Sequence, residues 1–277
     1  WMTLMTVPLV FHIRSTSAVR ASRKYLFYSV AGASMALAGI FLLAGNGVDL
    51  SFTATGLAAD ANKGQVLVAA LLLILGFGTK AGMFPMHGWL PTAHPVAPAP
   101  ASAVLSGVIT KAGVLGIIRS VYCVIGIEFL AGTYVQTMFL CLSLLTVFMG
   151  SMLAYKEKVL KKRLAYSTVS QVSYVLFGLA LMTPAGLVAG LLHMVFHSVI
   201  KNGLFLFAGM VIHETGEERV EELKGLGRQM PITFWCFTIA SLALVGIPPT
   251  SGFVSKWYLA KGAMSASVGV FSYLGPA

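Results

Sequence analysis

Four lysines and two histidines stand where an apolar chain has least reason to place them. Lys80, Lys111, Lys201 and Lys256 each fall within a long apolar run, and His193 and His197 precede Lys201 in "LLHMVFHSVIKNGLF". An isolated charge at the centre of a bilayer costs roughly 3 kcal/mol even on the lenient insertion scale. Four such ammonium groups together cost roughly 10 kcal/mol, comparable with the whole net stability of a typical fold, so they must be solvated or paired inside the protein. His193, His197 and Lys201 are spaced by four, which on a helix puts them within about 80° of one another, a stripe along one side. Imidazole titrates near neutrality and desolvation favours the neutral form of an amine, so such a stripe can accept and release protons or organise a file of water. A lone membrane histidine more often makes an interhelical hydrogen bond. Three such groups on one face favour the relay. A third ligand of carboxylate or thiolate type is missing nearby, so neither a metal nor a cofactor is expected.

The elements that position these groups are membrane spans. Hydrophobic residues make up 57% of the 277 positions, charged residues 10%, and the mean hydropathy is +0.84, which leaves too little polar surface to cover a soluble globule. Runs of about 20 apolar residues, the length that crosses the hydrocarbon, divide the chain into segments A to H at 1–13, 24–46, 65–85, 98–119, 129–155, 164–183, 185–213 and 231–263. Segment A, opening on Trp1, is too short to cross, and the last residues stop within an apolar run, so the sequence reads as an internal part of a longer chain. Arg14, Arg20, Arg23 and Lys24 lie between A and B, Lys156, Lys158, Lys161, Lys162 and Arg163 between E and F, and Arg219, Lys224 and Arg228 between G and H. Basic residues gather in cytoplasmic loops, so loops A–B, E–F and G–H are expected to face the cytoplasm. The intervening loops hold only Lys63 and Arg119, and Lys261 can snorkel to the outer interface. The net charge of +10 is thus a matter of topology, and no nucleic-acid partner is expected. Cys123, Cys141 and Cys236 stand singly in apolar runs and read as small buried hydrophobes.

Two segments are broken beside their lysines. "MFPMHGWLP" follows Lys80 and "VGIPPTSGF" precedes Lys256; proline removes a helix hydrogen bond and glycine loosens the backbone. Interrupted helices in corresponding halves mark a transport site, and their separation suggests two inverted repeats of about five helices each. The fold expected is all-α, a polytopic transmembrane bundle, with residues 1–128 in the first repeat and 129–277 in an incomplete second one. The acidic residues Asp49, Asp60, Glu128, Glu157, Glu214, Glu217, Glu218, Glu221 and Glu222 all lie in loops or at helix ends, so the buried lysines find no carboxylate partner in this sequence. "GFGTKAG" has the wrong glycine spacing for a nucleotide fingerprint and sits within a span.

"GFGTKAGMFPMHGWLPTAHPVAPAPASAVLSGVITKAGVLGIIR", "LAYSTVSQVSY", "LLHMVFHSVIKNGLFLFAGMVIH" and "GIPPTSGFVSKWYLAKGA" together resemble the proton-conducting antiporter-like subunits of respiratory complex I, multisubunit sodium/proton antiporters and membrane-bound hydrogenases. The resemblance covers nearly the whole chain. It implies that Lys80 is the lysine of the first interrupted helix, partnered by a glutamate upstream, and that Lys111 is the central lysine. It also makes His193, His197 and Lys201 the relay of the second half and Lys256 the charged group of the second interrupted helix. The family's glutamate precedes a Met-Thr-Leu, which puts it just before Trp1 in one register; a register anchored on Val7 and Pro8 puts Thr3 in its place. The Asp that the family carries after "GWLP" is Thr92 here.

What the resemblance implies is a non-redox subunit of a larger translocase, conducting protons or exchanging Na⁺ for H⁺, in a prokaryotic cytoplasmic membrane beside other membrane subunits. A solute carrier for a small anion would gather its ligands in one pocket, whereas these lysines are spread over four segments. A scaffold without conduction is the other rival, favoured by the Thr3 register. The segment "HETGEERVEELKGLGRQMP" is expected to form a short amphipathic helix able to meet a peripheral partner.

Overall fold

The computed structural model describes residues 2–12, 15–52, 62–266 and 268–275, so Trp1, Arg14 and Asp60 lie outside the described residues. The described chain is a helical bundle. Its principal helices are α1 (Met2–Val10), α2 (Thr16–Gly45), α3 (Lys63–Ala81), α4 (Leu90–Val96), α5 (Ala99–Ile125), α6 (Tyr134–Lys156), α7 (Leu160–Ala180), α8 (Pro184–Thr215), α9 (Pro231–Val245) and α10 (Ser251–Ser265). Helices α2, α3, α5, α6 and α8 are long and apolar enough to cross a membrane. Segment D continues six residues further than its apolar run suggested, to Ile125, and segment H divides into α9 and α10.

Local chemistry sets the ends. The Ser15 hydroxyl accepts from Ala18 N and starts α2; Thr183 does the same for Gly186 N at the start of α8, with Pro184 at the first helical position. Gly82, at φ +86°, stops α3, and Gly246, at φ +90°, stops α9, conformations that only glycine takes without strain. The two breaks fall where the sequence places them, one residue after the last turn holding Lys80 and a few residues before Lys256.

Small residues let the helices approach closely. Gly32 and Ala36 of α2 face Gly76 of α3: a Cβ on Gly76 would stand 2.6 Å from both the Gly32 carbonyl oxygen and the Ala36 nitrogen. Gly178 of α7 abuts Gly186 and Gly190 of α8 in the same way. Without a hydrophobic drive between helices in lipid, such close contact supplies the association energy. Helix α7 is the central one, packed on α4, α6 and α8, and nearly every position from Val172 to Ala180 apart from Tyr174 is buried. Outward, Phe27, Phe41, Phe148, Val199 and Trp235 are exposed, as a lipid-facing surface requires.

All three basic loops gather at one end of the molecule. The E–F and G–H loops pair through Leu160 N to Glu218 O and Val220 N to Lys158 O, each 2.9 Å, and through Lys158 with Glu221 at 3.0 Å. The start of α2, with Arg20 and Lys24, shares a cavity with Lys162. Two expectations need correction. The G–H segment is not one helix: a 3₁₀ turn, Val220–Leu223, and a short helix, Leu226–Gln229, are separated by Gly225 at φ +88°. Nor are the cysteines all buried, since Cys141 and Cys236 are exposed and Cys123 half-buried; an apolar run does not reveal which of its faces meets lipid.

The tight α2–α3 seam predicts that Gly76→Val destabilises the isolated subunit by about 1–3 kcal/mol through overpacking, read as a lowered unfolding temperature in detergent. Gly45→Ala, whose added Cβ meets nothing within 4 Å, should leave that temperature unchanged.

Candidate functional site

Lys111 lies at the middle of α5, 6% exposed. The helix there widens into π turns at Leu105–Ile109 and Arg119–Ile125, which shift the backbone ladder and leave carbonyls for other donors. Lys111 Nζ takes one of them, donating to Ser106 O at 2.5 Å. From α8, His197 brings Nδ1 to 2.9 Å of the same Nζ. One of the two must donate: either the ammonium gives a hydrogen to an unprotonated Nδ1, or Nδ1–H gives one to a neutral amine. The same heavy-atom positions accommodate both, so the contact is a place where a proton can change owner. His197 is itself buried, and its Nε2 has no partner among the described residues.

One turn earlier, His193 lies nearly parallel to His197, ring centres 6.2 Å apart. Its Nε2 is 3.1 Å from Gln171 Oε1 of α7 and its Nδ1 2.9 Å from Ser255 Oγ of α10. An amide oxygen only accepts, so Nε2 carries a hydrogen; in the neutral ring Nδ1 then accepts from the serine, and in the protonated ring it donates while the serine turns to Gly252 O at 3.1 Å. Lys256 follows Ser255 and donates to Leu244 O and Val245 O, both at 3.0 Å. Those carbonyls end α9, so the ammonium rests on the negative end of a helix dipole. Its Nζ is also 5.3 Å from the centre of the Tyr174 ring, and the Tyr174 and His193 rings meet edge to face with centres 5.9 Å apart.

Lys201 is fully buried and donates to Leu164 O at 2.9 Å. Thr168 Oγ1 also reaches Leu164 O, at 3.0 Å, and pairs with Ser106 Oγ at 2.8 Å, which ties the surroundings of Lys201 to those of Lys111. Lys80 stands apart, half-buried at the end of α3. Its Nζ donates to Tyr25 OH at 2.6 Å and to Thr3 Oγ1 at 3.2 Å, and it faces the rings of Tyr25 and Trp89 at 4.6 and 5.8 Å, positions that favour a cation. Among the described residues no carboxylate oxygen lies within 4.0 Å of any of these four ammonium groups; the ion pairs all sit at the basic-loop end.

Thus the structure brings Lys111, His197, His193 and Lys256 into one row, with Lys201 joined through Leu164 and Thr168. No side-chain hydrogen bond among the described residues connects Lys80 to Lys111. Thr92 turns its hydroxyl back on Trp89 O at 2.8 Å, so the position of the expected loop carboxylate is capped locally. Residues not singled out from the sequence complete the site: Tyr25, Ser106, Thr168, Gln171, Tyr174 and Ser255. Thr168, Gln171 and Tyr174 recur every three residues in "LAYSTVSQVSY", one side of a helix, a polar stripe that could have been read directly.

The 2.6 Å contact predicts that Tyr25→Phe, which keeps the ring but removes the hydroxyl, costs about 1–3 kcal/mol of stability by leaving Lys80 poorly solvated. Thermal unfolding of the detergent-solubilised protein checks it.

Three comparisons bear on what this arrangement is. The family described as NADH:quinone oxidoreductase/Mrp antiporter, transmembrane, matches residues 2–276. NADH-quinone oxidoreductase subunit N of Desulforudis audaxviator (strain MP104C) is 36% identical over 92% of this chain and 51% of its own length. Hydrogenase-4 component B of Escherichia coli (strain K12) is 32% identical over 96% of this chain and 41% of its own length. A chain in the structure of the Mrp complex from Dietzia sp. DQ12-45-1b superposes with a TM-score of 0.84 at 30% identity, covering 95% of this chain and 48% of that one. The chain spans about half the length of the curated relatives it matches. A family match over almost every residue settles the assignment: the chain belongs to the NADH:quinone oxidoreductase/Mrp antiporter transmembrane family.

Proposed function

We propose that this chain is the conducting part of a proton-translocating membrane subunit, in which protons move along the row Lys111, His197, His193 and Lys256, with Lys201 and Lys80 as its outlying members. The observation that carries the reading is the 2.9 Å contact between Lys111 Nζ and His197 Nδ1. Two titratable nitrogens, both buried and neither neutralised by a carboxylate, gain from sharing one proton and lose from holding two. A charge arriving near either end shifts where that proton rests.

The relatives named above belong to an NADH-quinone oxidoreductase, a hydrogenase and an Mrp complex, which supports membrane subunits of a multisubunit assembly as partners. Proton movement against a gradient needs a free-energy source, and the sequence offers no nucleotide fingerprint that would supply one, so the driving reaction belongs to a partner. The clustering of the three basic loops at one end supports their facing the cytoplasm of a prokaryotic cell. The breaks beside Lys80 and Lys256 support two related halves, 1–128 and 129–277. Protons are favoured over Na⁺ because the row is made of amine and imidazole nitrogens, which bind a proton, whereas a hard metal cation is held by oxygen ligands and no carboxylate among the described residues pairs with the row.

At Lys80 the scaffold reading draws support from one contact. Thr3, the residue that one register sets at the glutamate position, does meet the ammonium, and a hydroxyl cannot change a lysine's charge by moving. The neighbouring row does not depend on it.

In vesicles holding the whole assembly, Lys111→Ala and Lys256→Ala should each lower coupled proton uptake at least about tenfold while the assembly persists, since removing a buried charge relieves desolvation. Lys111→Arg should be nearly as harmful, because a guanidinium does not release its proton in this range. Uptake in Na⁺-free buffer should equal that in Na⁺. Normal uptake by the alanine variants would reduce the lysines to structural residues, and a strict need for Na⁺ would assign the ion instead.

A further inference from the structure

His94 belongs to none of the contacts described so far. It lies on α4, in the interrupted region after Lys80, and is 0% exposed. Among the described residues neither of its buried ring nitrogens has a hydrogen-bond partner, whereas His197 has one such nitrogen and His193 none. The ring stacks on Phe205 with centres 4.6 Å apart and planes 16° from parallel. Phe205 is one turn beyond Lys201 on α8, so the stack sets the imidazole beside that lysine. The charges of Lys201 of α8, Lys161 of α7 and Lys111 of α5 act on it; α2, which also packs on α4, brings Arg20 and Lys24 to the other side of that helix, and Glu218 acts on Lys161.

The opposite side of α4 faces the basic-loop end. Pro91, Thr92, Pro95 and Val96, with Arg20, Lys24 and Lys162, line a cavity of about 340 Å³ there. Lys161 anchors the end of the helix, donating to Ala97 O at 3.1 Å, and Ser102 Oγ holds His94's own carbonyl at 3.0 Å. Helix α4 is therefore a wall one helix thick between the mouth and Lys201. His94 is the one titratable side chain that this wall carries, within "LPTAHPV".

A buried imidazole must satisfy both nitrogens, one as donor and one as acceptor, and water does both. We propose that His94 is a hydrated proton carrier between the basic-loop mouth and the Lys201–Lys111 end of the row. A proton from water adds to the unprotonated nitrogen, the hydrogen on the other nitrogen leaves to water on the far side, and a half-turn of the ring restores the first tautomer. The proposal rests on the reading of the chain as a proton conductor.

The test uses the whole assembly in vesicles, with wild type, Lys111→Ala, His94→Phe and His94→Gln compared for proton uptake per turnover of the driving reaction. Both His94 variants should pump at least about tenfold more slowly, the usual scale for losing a positioned acid–base group. Phenylalanine keeps the stack on Phe205, so a purely structural ring predicts normal pumping by His94→Phe, and that result overturns the proposal. Normal pumping by Lys111→Ala overturns the underlying reading instead. If the His94 variants fail to assemble, a high-resolution structure of the unmodified assembly decides: ordered water within hydrogen-bond distance of both ring nitrogens is expected, and a side chain or lipid tail against either nitrogen overturns the carrier.

Discussion

Four ammonium groups held in an apolar bundle without a counter-charge among the described residues are the constraint to which the rest of this structure answers. Each is solvated by dipoles rather than by an anion. Lys256 rests on the last carbonyls of α9, Lys111 on a carbonyl at a π turn, Lys201 on Leu164 O, and Lys80 on two hydroxyls and two ring faces. Most helix-interior carbonyls are already used four residues on. The break before Lys256 and the widened turns of α5 supply carbonyls to Lys256 and Lys111, Lys201 shares Leu164 O inside α7 with Thr168 Oγ1, and Lys80 uses no carbonyl. A charge held by dipoles alone, with no anion beside it among the described residues, is open to the influence of any other charge that approaches.

The acidic residues are spent elsewhere. Glu157 closes α6 and meets Lys162 at 2.6 Å. Its partial burial works against ionisation, but the Lys162 ammonium and the backbone N–H groups of Val159 and Lys158 outweigh it and hold the carboxyl below its usual range. Glu221 pairs with Lys158, and a short antiparallel bridge joins Val159 to Arg219. Carboxylates thus pin the loops of the basic end together, while the interior keeps a positive potential that any further charge, brought by a neighbouring helix or subunit, would act upon.

Much of this was legible in the sequence because expense is visible there. A lysine in an apolar run, a proline pair beside it and a four-residue spacing of His193, His197 and Lys201 each have few explanations; the structure buries Lys111, His193, His197 and Lys201, half-buries Lys80 and Lys256, and leaves Pro248 and Pro249 exposed. What escaped notice was cheap. Tyr25, Ser255 and Gln171 are ordinary residues in membrane helices, and their roles follow from which face of which helix meets which neighbour. The same limit misled the reading of Cys141 and Cys236 as buried, since a face turned to lipid and a face turned to the core are equally apolar. The short amphipathic helix expected after His213 did not form as one element: Gly216 and Gly225 take positive φ and Arg219 and Lys224 are extended, which outweighs the amphipathic pattern around them.

The central claim is that these lysines change charge while the protein works. Infrared difference spectroscopy of the intact assembly, with lysine labelled by ¹⁵N at Nζ, compares the resting state with steady turnover of the driving reaction. The account predicts bands of neutral amine gained and ammonium lost during turnover, shifted by the label and absent in Lys111→Arg. Ammonium bands identical at rest and in turnover, with protons still pumped, would contradict it.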